Sequence, residues 1–305
     1  MTNNLNTHAA KSPLGDLGVE APFRGFGGIV VPMITPLTKD LQIDINAVNT
    51  IMAQFAENNI SPLVLGTTGE SASIGKDESA VFVETAVKAK QANQTIYAGL
   101  VGNNVQELIE RAKLYAGLGA DVVVSTLPSY YMLTPQQMEL FYVQLADASP
   151  CPVMMYNIKA TTQMTIPLEV VEKLSHHPNI AGLKDSERDL ERLIRCINQY
   201  REREDFSFFC GWGAQGLGSL QMGADGIVPS TGNIVPELYK ALYDAFKNGN
   251  TILAEEIQKK TDEVAVLYQK DRTLGESLAT LKAMMETKGW CQRYMMPPLT
   301  PVAYE

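Results

Sequence analysis

The feature that most limits what this chain can fold into is a strict alternation between residues 27 and 247: short apolar runs, each followed by a stretch with helical spacing. The apolar runs fall at 27–33, 62–65, 95–100, 121–125, 151–156, 179–184, 206–210 and 225–229. The stretches between and after them, at 44–57, 76–93, 104–116, 134–148, 167–175, 188–201, 214–222 and 236–247, carry the helical pattern and its caps. In the first, Ile45, Val48, Ile51, Met52 and Phe55 line one face. Asn104 stands as a cap, and Thr134 precedes Pro135 at a first helical position. Near-continuous apolar strands separated by helices belong to parallel sheets covered on both faces. Eight such units in about 225 residues predict an α/β fold, a (β/α)8 TIM barrel. Two open doubly wound sheets are the alternative, but no linker divides the chain. Helix-ending glycine followed by Ala-Asp occurs at both Gly119-Ala120-Asp121 and Gly223-Ala224-Asp225, a local echo suited to repeated units.

Beyond 247 the strands stop, and 251–268 and 277–288 read as helices. The expected organisation is a flexible tail over 1–22, a catalytic barrel over 23–248 and a C-terminal helical extension over 249–305. The tail has neither a basic leader nor a long apolar core, so a signal peptide or anchor is not expected. No stretch approaches the roughly 18 unbroken apolar residues of a membrane span. The net charge is −9, which argues against nucleic acid or an anionic membrane as partner. Four widely spaced cysteines form no zinc pattern, and a cytoplasmic location with free thiols is expected. Three histidines, His8, His176 and His177, build no metal cluster with nearby carboxylates, so no metal is expected.

Chemistry in such a barrel belongs at the C-terminal ends of the strands. The sixth run, Ile180-Ala181-Gly182-Leu183, ends in Lys184. A lysine there is either a snorkelling surface residue or a nucleophile. Among apolar walls its charged form loses solvation, which favours the free amine that attacks a carbonyl carbon. After the second run comes Gly66-Thr67-Thr68-Gly69-Glu70, whose hydroxyls and N–H groups suit a carboxylate or a plain turn. Glu70 reads as a structural hydrogen-bonding residue. Tyr156 closes the fifth run as a proton carrier or a core tyrosine. Ser129-Tyr130-Tyr131 follows the fourth, and Val228 to Asn233 the eighth. After the seventh, Gly211-Trp212-Gly213 lacks a neighbouring cation for phosphate, so Trp212 is expected to wall the pocket.

Taken together, these stretches resemble the dihydrodipicolinate synthase / N-acetylneuraminate lyase family. The resemblance runs from about Gly27 into the C-terminal helices and rests on Gly66 to Glu70, Tyr156-Asn157, Gly182 to Asp185 and Gly232-Asn233, each after the appropriate strand. It implies that Lys184 forms a Schiff base with pyruvate or another 2-keto acid, and that Tyr156 moves the proton that makes or breaks the carbon–carbon bond. Thr67 and Thr68 would bind the keto-acid carboxylate, with Thr68 among the catalytic set. Tyr130 or Tyr131 would complete the relay, across a subunit interface if need be. Val228 and Gly211 would contact substrate. The resemblance implies no cofactor, because the protonated imine is itself the electron sink. It also implies an aldehyde partner and a homo-oligomer, dimer or tetramer.

The chain departs from the lysine-pathway members of that family at two places. Thr161 stands where they carry the arginine that binds the aldehyde's carboxylate, with Lys159 in place of a usual proline, and Trp212-Gly213 replaces acidic residues. The expectation is therefore a class I aldolase of 2-keto-3-deoxy sugar acids or related 2-keto acids. Dihydrodipicolinate synthesis, a dehydratase and a non-catalytic binding member are the alternatives.

Overall fold

Strand pairing closes on itself. In the structure, a computed structural model describing residues 25–303, the strands are β1 (Gly28–Pro32), β2 (Ile60–Val64), β3 (Tyr97–Leu100), β4 (Val122–Thr126), β5 (Val153–Asn157), β6 (Ile180–Asp185), β7 (Ser207–Cys210) and β8 (Gly226–Ile227). They form a closed barrel in sequence order, parallel throughout. Closure is made by β1 on β8, with Gly28 opposite Gly226 and Ile29 opposite Ile227. The eight-strand expectation holds. The tail assigned to 1–22, with His8, lies outside the described residues.

The helices, several of which start where a side chain satisfies a free N–H group, fall between and after the strands. They are α1 (Ile45–Glu57), α2 (Lys76–Ala89), α3 (Val105–Leu118), α4 (Pro135–Ala148), α5 (Lys159–Thr162), α6 (Leu168–Leu174), α7 (Leu190–Tyr200), α8 (Gly216–Met222), α9 (Pro236–Lys247), α10 (Thr251–Gln269) and α11 (Leu274–Thr287). Asp44 caps α1 and Asn104 caps α3, while Thr134 and Gln137 form a capping box on α4. The turn α5 has no counterpart among the helices expected from the sequence. It is too short to show helical periodicity, and Thr162 Oγ1 donating to Ile158 O (3.0 Å) secures it. The last helix begins at Leu274 rather than 277, because Thr273 and Glu276 make a second capping box.

Strand side chains alternate between two cores. Val30, Leu63, Tyr97, Val124, Met154, Tyr156, Phe209 and Val228 fill the barrel interior. Their neighbours, among them Val31, Val123, Met155, Leu183 and Phe208, pack outward against the helices. Gly119 (φ 103°) and Gly223 (φ 106°) both end helices in the left-handed region. The aspartates two residues later act alike: Asp121 Oδ2 accepts from Ile96 N (2.7 Å), and Asp225 Oδ2 from Phe208 N (2.7 Å). The Gly-Ala-Asp echo is thus one structural junction used twice, each aspartate holding the start of a neighbouring strand.

Candidate active site

The alternation of β6 decides which of its side chains face inward. Leu183 and Asp185 point to the helices, and Lys184 between them points into the barrel. Asp185 accepts from Arg192 Nε of α7 at 2.7 Å and from Asn157 Nδ2 at 3.0 Å, which pins the outer face. Lys184 is 3% exposed. Register sets Tyr156 of β5 directly opposite it, and Nζ lies 3.8 Å from the tyrosine ring centroid. Among the described residues no carboxylate lies within ion-pair distance of this amine.

The Tyr156 hydroxyl lies 3.4 Å from Thr67 Oγ1. Burial by itself pushes the phenol up. The Lys184 charge, with hydrogen bonds from Thr67, Ser186 and Lys184, outweighs burial and holds it below its ordinary value of 10.0. A phenol so placed can give up and take back a proton near the amine.

The loop after β2 turns sharply. Glu70 has φ 56°, and Gly66 O accepts from Gly69 N (3.0 Å). No bond among the described residues claims the Thr67 or Thr68 N–H or the Thr68 hydroxyl, so two amides and that hydroxyl remain for an anion, while the Thr67 hydroxyl faces Tyr156. Glu70 turns away from the cavity: its Oε1 lies 2.5 Å from Lys282 Nζ of α11, and its Oε2 accepts from Met296 N at 2.7 Å. The expected structural role is met by an ion pair with a residue the sequence reading passed over. The signal was present, since Lys282 interrupts the apolar residues of α11 much as Lys184 ends an apolar strand.

A cavity of about 1110 Å³ opens over these groups, lined by Thr67, Thr68, Tyr156, Lys184, Gly211, Trp212 and Val228 among others. It therefore brings together seven of the sequence-selected positions. Its farther wall comes from α10 and α11, including Tyr268, Gln269 and Leu278. The Val228 N–H is taken by Cys210 O (2.8 Å), leaving the carbonyl to a ligand. Asn233 does not face substrate. It accepts from Ile34 N (3.0 Å) and donates to Pro32 O (2.8 Å), stitching the β8 loop to β1.

Two sequence-selected stretches lie outside the lining of this cavity. Tyr130 and Tyr131 are 77% and 73% exposed, pack edge to face on each other and do not line the cavity of this chain. Asn103 Oδ1, accepting from Ser129 N and Tyr130 N, fixes their loop outward. Thr161 is also absent from the lining, because α5 turns it away. Lys159 does line the rim, paired with Glu187 at 3.4 Å. Glu187 is itself held by Asn157 and Thr165, whose hydrogen bonds keep its carboxyl below the usual range although partial burial works the other way. Among the described residues no group of three or more His, Cys, Asp and Glu side chains could hold a metal.

Comparison with known proteins points the same way. The model of the dihydrodipicolinate synthetase family matches residues 25–305. A 4-hydroxy-tetrahydrodipicolinate synthase from Methanococcoides burtonii is 30% identical over 282 residues, covering 92% of this chain and 94% of that protein. A dihydrodipicolinate synthase structure from Bacteroides thetaiotaomicron superposes with a TM-score of 0.86 at 25% identity, covering 93% of this chain and 95% of that one. A prophage protein from E. coli K12, solved with pyruvate, shares the fold at a TM-score of 0.86 and 24% identity, covering 91% and 94%.

Proposed function

The chain belongs to the dihydrodipicolinate synthetase family and is a carbon–carbon lyase; from that premise we propose that it is a Schiff-base aldolase cleaving a 2-keto-3-deoxy acid to pyruvate and an aldehyde, or joining the two. The observation that carries the reading is Lys184, buried without a carboxylate partner and opposite Tyr156. Its amine attacks the C2 carbonyl, and water leaves to form the protonated imine. The Tyr156 phenolate takes the proton of the C4 hydroxyl. The C3–C4 bond then breaks, its electron pair moves toward the imine nitrogen, and the aldehyde departs. Protonation of C3 and hydrolysis of the imine release pyruvate and the free amine. The Thr67 and Thr68 amides and the Thr68 hydroxyl hold the substrate carboxylate, with the carbonyl of Val228 and the backbone of Gly211 alongside.

A deoxy-keto acid is favoured over aspartate semialdehyde because Thr161, standing where the resemblance places the carboxylate-binding arginine of the lysine-pathway members, carries no charge and lies outside the cavity lining. Tyr130 and Tyr131 enter the scheme only if a second copy of the chain brings one of them to the cavity. Incubation with pyruvate and borohydride, followed by peptide mapping, is expected to label Lys184. An unlabelled Lys184 would overturn the reading. Release of pyruvate from a 2-keto-3-deoxy acid separates an aldolase from a dehydratase, and turnover of pyruvate with aspartate semialdehyde would assign the synthase reaction instead.

A further inference from the structure

The cavity over Lys184 is richer in positive charge than the molecule that holds it. The chain carries a net charge of −9. Besides Lys184, the lining has four basic side chains, Lys159, Arg188, Lys270 and Arg272, against three carboxylates. Those carboxylates are already engaged. Glu187 is paired with Lys159 at 3.4 Å and accepts from Asn157 and Thr165. Asp189 accepts from Arg192 N at 3.0 Å, capping α7. Asp262 accepts from Gln258 Nε2 at 2.8 Å. Of the cations, Arg272 donates to Leu267 O and Lys270 O and so holds its own turn. Arg188 and Lys270 are left over: among the described residues, neither side chain makes an ion pair or a hydrogen bond.

An unpaired guanidinium at a surface is commonplace, because water satisfies it. The frame around Arg188 sets this one apart. Before it, Ser186 N donates to Asn157 O and Glu187 N to Asp185 Oδ1, each at 2.9 Å. After it, Asp189 fixes the first turn of α7. The chain on both sides of Arg188 is therefore tied down, and the guanidinium is presented at the cavity wall with its donors unspent. Arg188 follows Lys184 by four residues, so their Cα atoms are at most about 14 Å apart. An arginine side chain and a sugar-acid chain joined to Lys184 can span that distance together. Lys270 comes to the same cavity from the turn between α10 and α11.

We propose that Arg188, with Lys270 as a second cation, binds an anionic group at the aldehyde end of the substrate, a phosphate or a second carboxylate. The proposal rests on the Schiff-base aldolase reading and deepens it, narrowing the deoxy-keto acid to one charged at both ends. The keto-acid carboxylate is met at the Thr67–Thr68 loop, and the far anion at the opening of the cavity. A planar guanidinium gives two parallel N–H bonds to a carboxylate or a phosphate, and the lysine adds a point charge. Excess positive charge in a cleft also draws a doubly charged substrate in from solution.

The full-length protein is assayed for condensation of pyruvate with glyceraldehyde 3-phosphate, succinic semialdehyde and uncharged glyceraldehyde. The parent is expected to favour one of the anionic aldehydes over glyceraldehyde by about 10- to 100-fold in kcat/KM, the worth of a hydrogen bond to a charged group. The better of the two assigns phosphate or carboxylate as the group bound. Arg188→Ala is expected to abolish most of that preference, chiefly through KM. Arg188→Lys keeps more of it, Lys270→Ala loses less than Arg188→Ala, and added salt erodes it in the parent. A parent that traps pyruvate with borohydride yet shows no preference for an anionic aldehyde, or turns over neither, overturns the proposal. So does an unchanged preference in Arg188→Ala. A parent that fails to trap pyruvate defeats the Schiff-base reading instead.

Discussion

Two lysines of this chain are almost completely removed from water, Lys184 at 3% and Lys282 at 1% exposure, and their surroundings are opposite. Lys282 sits 2.5 Å from Glu70 Oε1 and donates to Tyr294 O at 2.7 Å. Burial pushes its amine down and Glu70 pulls it back up, with burial the stronger. Lys184 has a phenol face at 3.8 Å, hydroxyls nearby and an open cavity. Burial alone marks both as costly to keep. On the proposed reading the partner tells what each is for: a lysine matched by a carboxylate is a fastening, and one left without a carboxylate in front of a cavity is a reagent. The two meet in one loop, because Glu70 ends the turn that carries Thr67 and Thr68. The fastening therefore ties the C-terminal segment to the part of the site where the substrate carboxylate would rest.

The comparison breaks most visibly at the reagent. Lys184→Met is expected to lower turnover by at least about 10⁴-fold, as loss of a covalent nucleophile does, while raising Tm by about 2–4 °C, because a buried polar group without a carboxylate partner leaves the barrel. Steady-state kinetics and thermal melts measure the pair of effects; a lower Tm would erase the contrast. At the fastening the signs reverse. Lys282→Met strands the Glu70 carboxylate and is expected to cost about 3–5 kcal/mol in denaturant unfolding. The double variant Glu70→Leu, Lys282→Met should recover most of that loss, so that equal losses in single and double variants would deny the pairing.

Tyr156→Phe sharpens the other side of the contrast. The Lys184 imine should still be trapped, while kcat falls about 10²- to 10⁴-fold. Because the phenol is held below 10.0, the parent's kcat should rise with pH from below that value as the phenolate forms. The rise should be missing from Tyr156→Phe, and its persistence there would move the titration to another group. The smallest effect belongs to a third lysine. Lys159 is mostly exposed although it pairs with Glu187, so Lys159→Ala is expected to change stability by less than about 1 kcal/mol.

Much of the barrel was legible because each clue lies within a few residues of what it governs. The apolar runs, the Asn104 cap, the Thr134-Pro135 start and the two Gly-Ala-Asp junctions are local physics, and local physics survives folding. The turn α5 was lost because four residues carry no period. The strand ends shifted by a residue or two because pairing, not composition, sets them: β5 runs to Asn157 since it meets Asp185 across the ladder. In the site, Lys184, Tyr156, Val228 and the threonine pair stood out as polar or special residues at strand ends.

By itself the chain determined the order of strands and helices, the positions of the caps and the choice of an amine, a phenol and two hydroxyls at strand ends. Barrel closure and strand register decided the rest. They set Tyr156 across from Lys184, brought Lys282 to Glu70 and left Tyr130 on the outer surface. The reason is physical: whether a buried charge is satisfied depends on what comes near it through space, and those neighbours are supplied by segments far away along the chain.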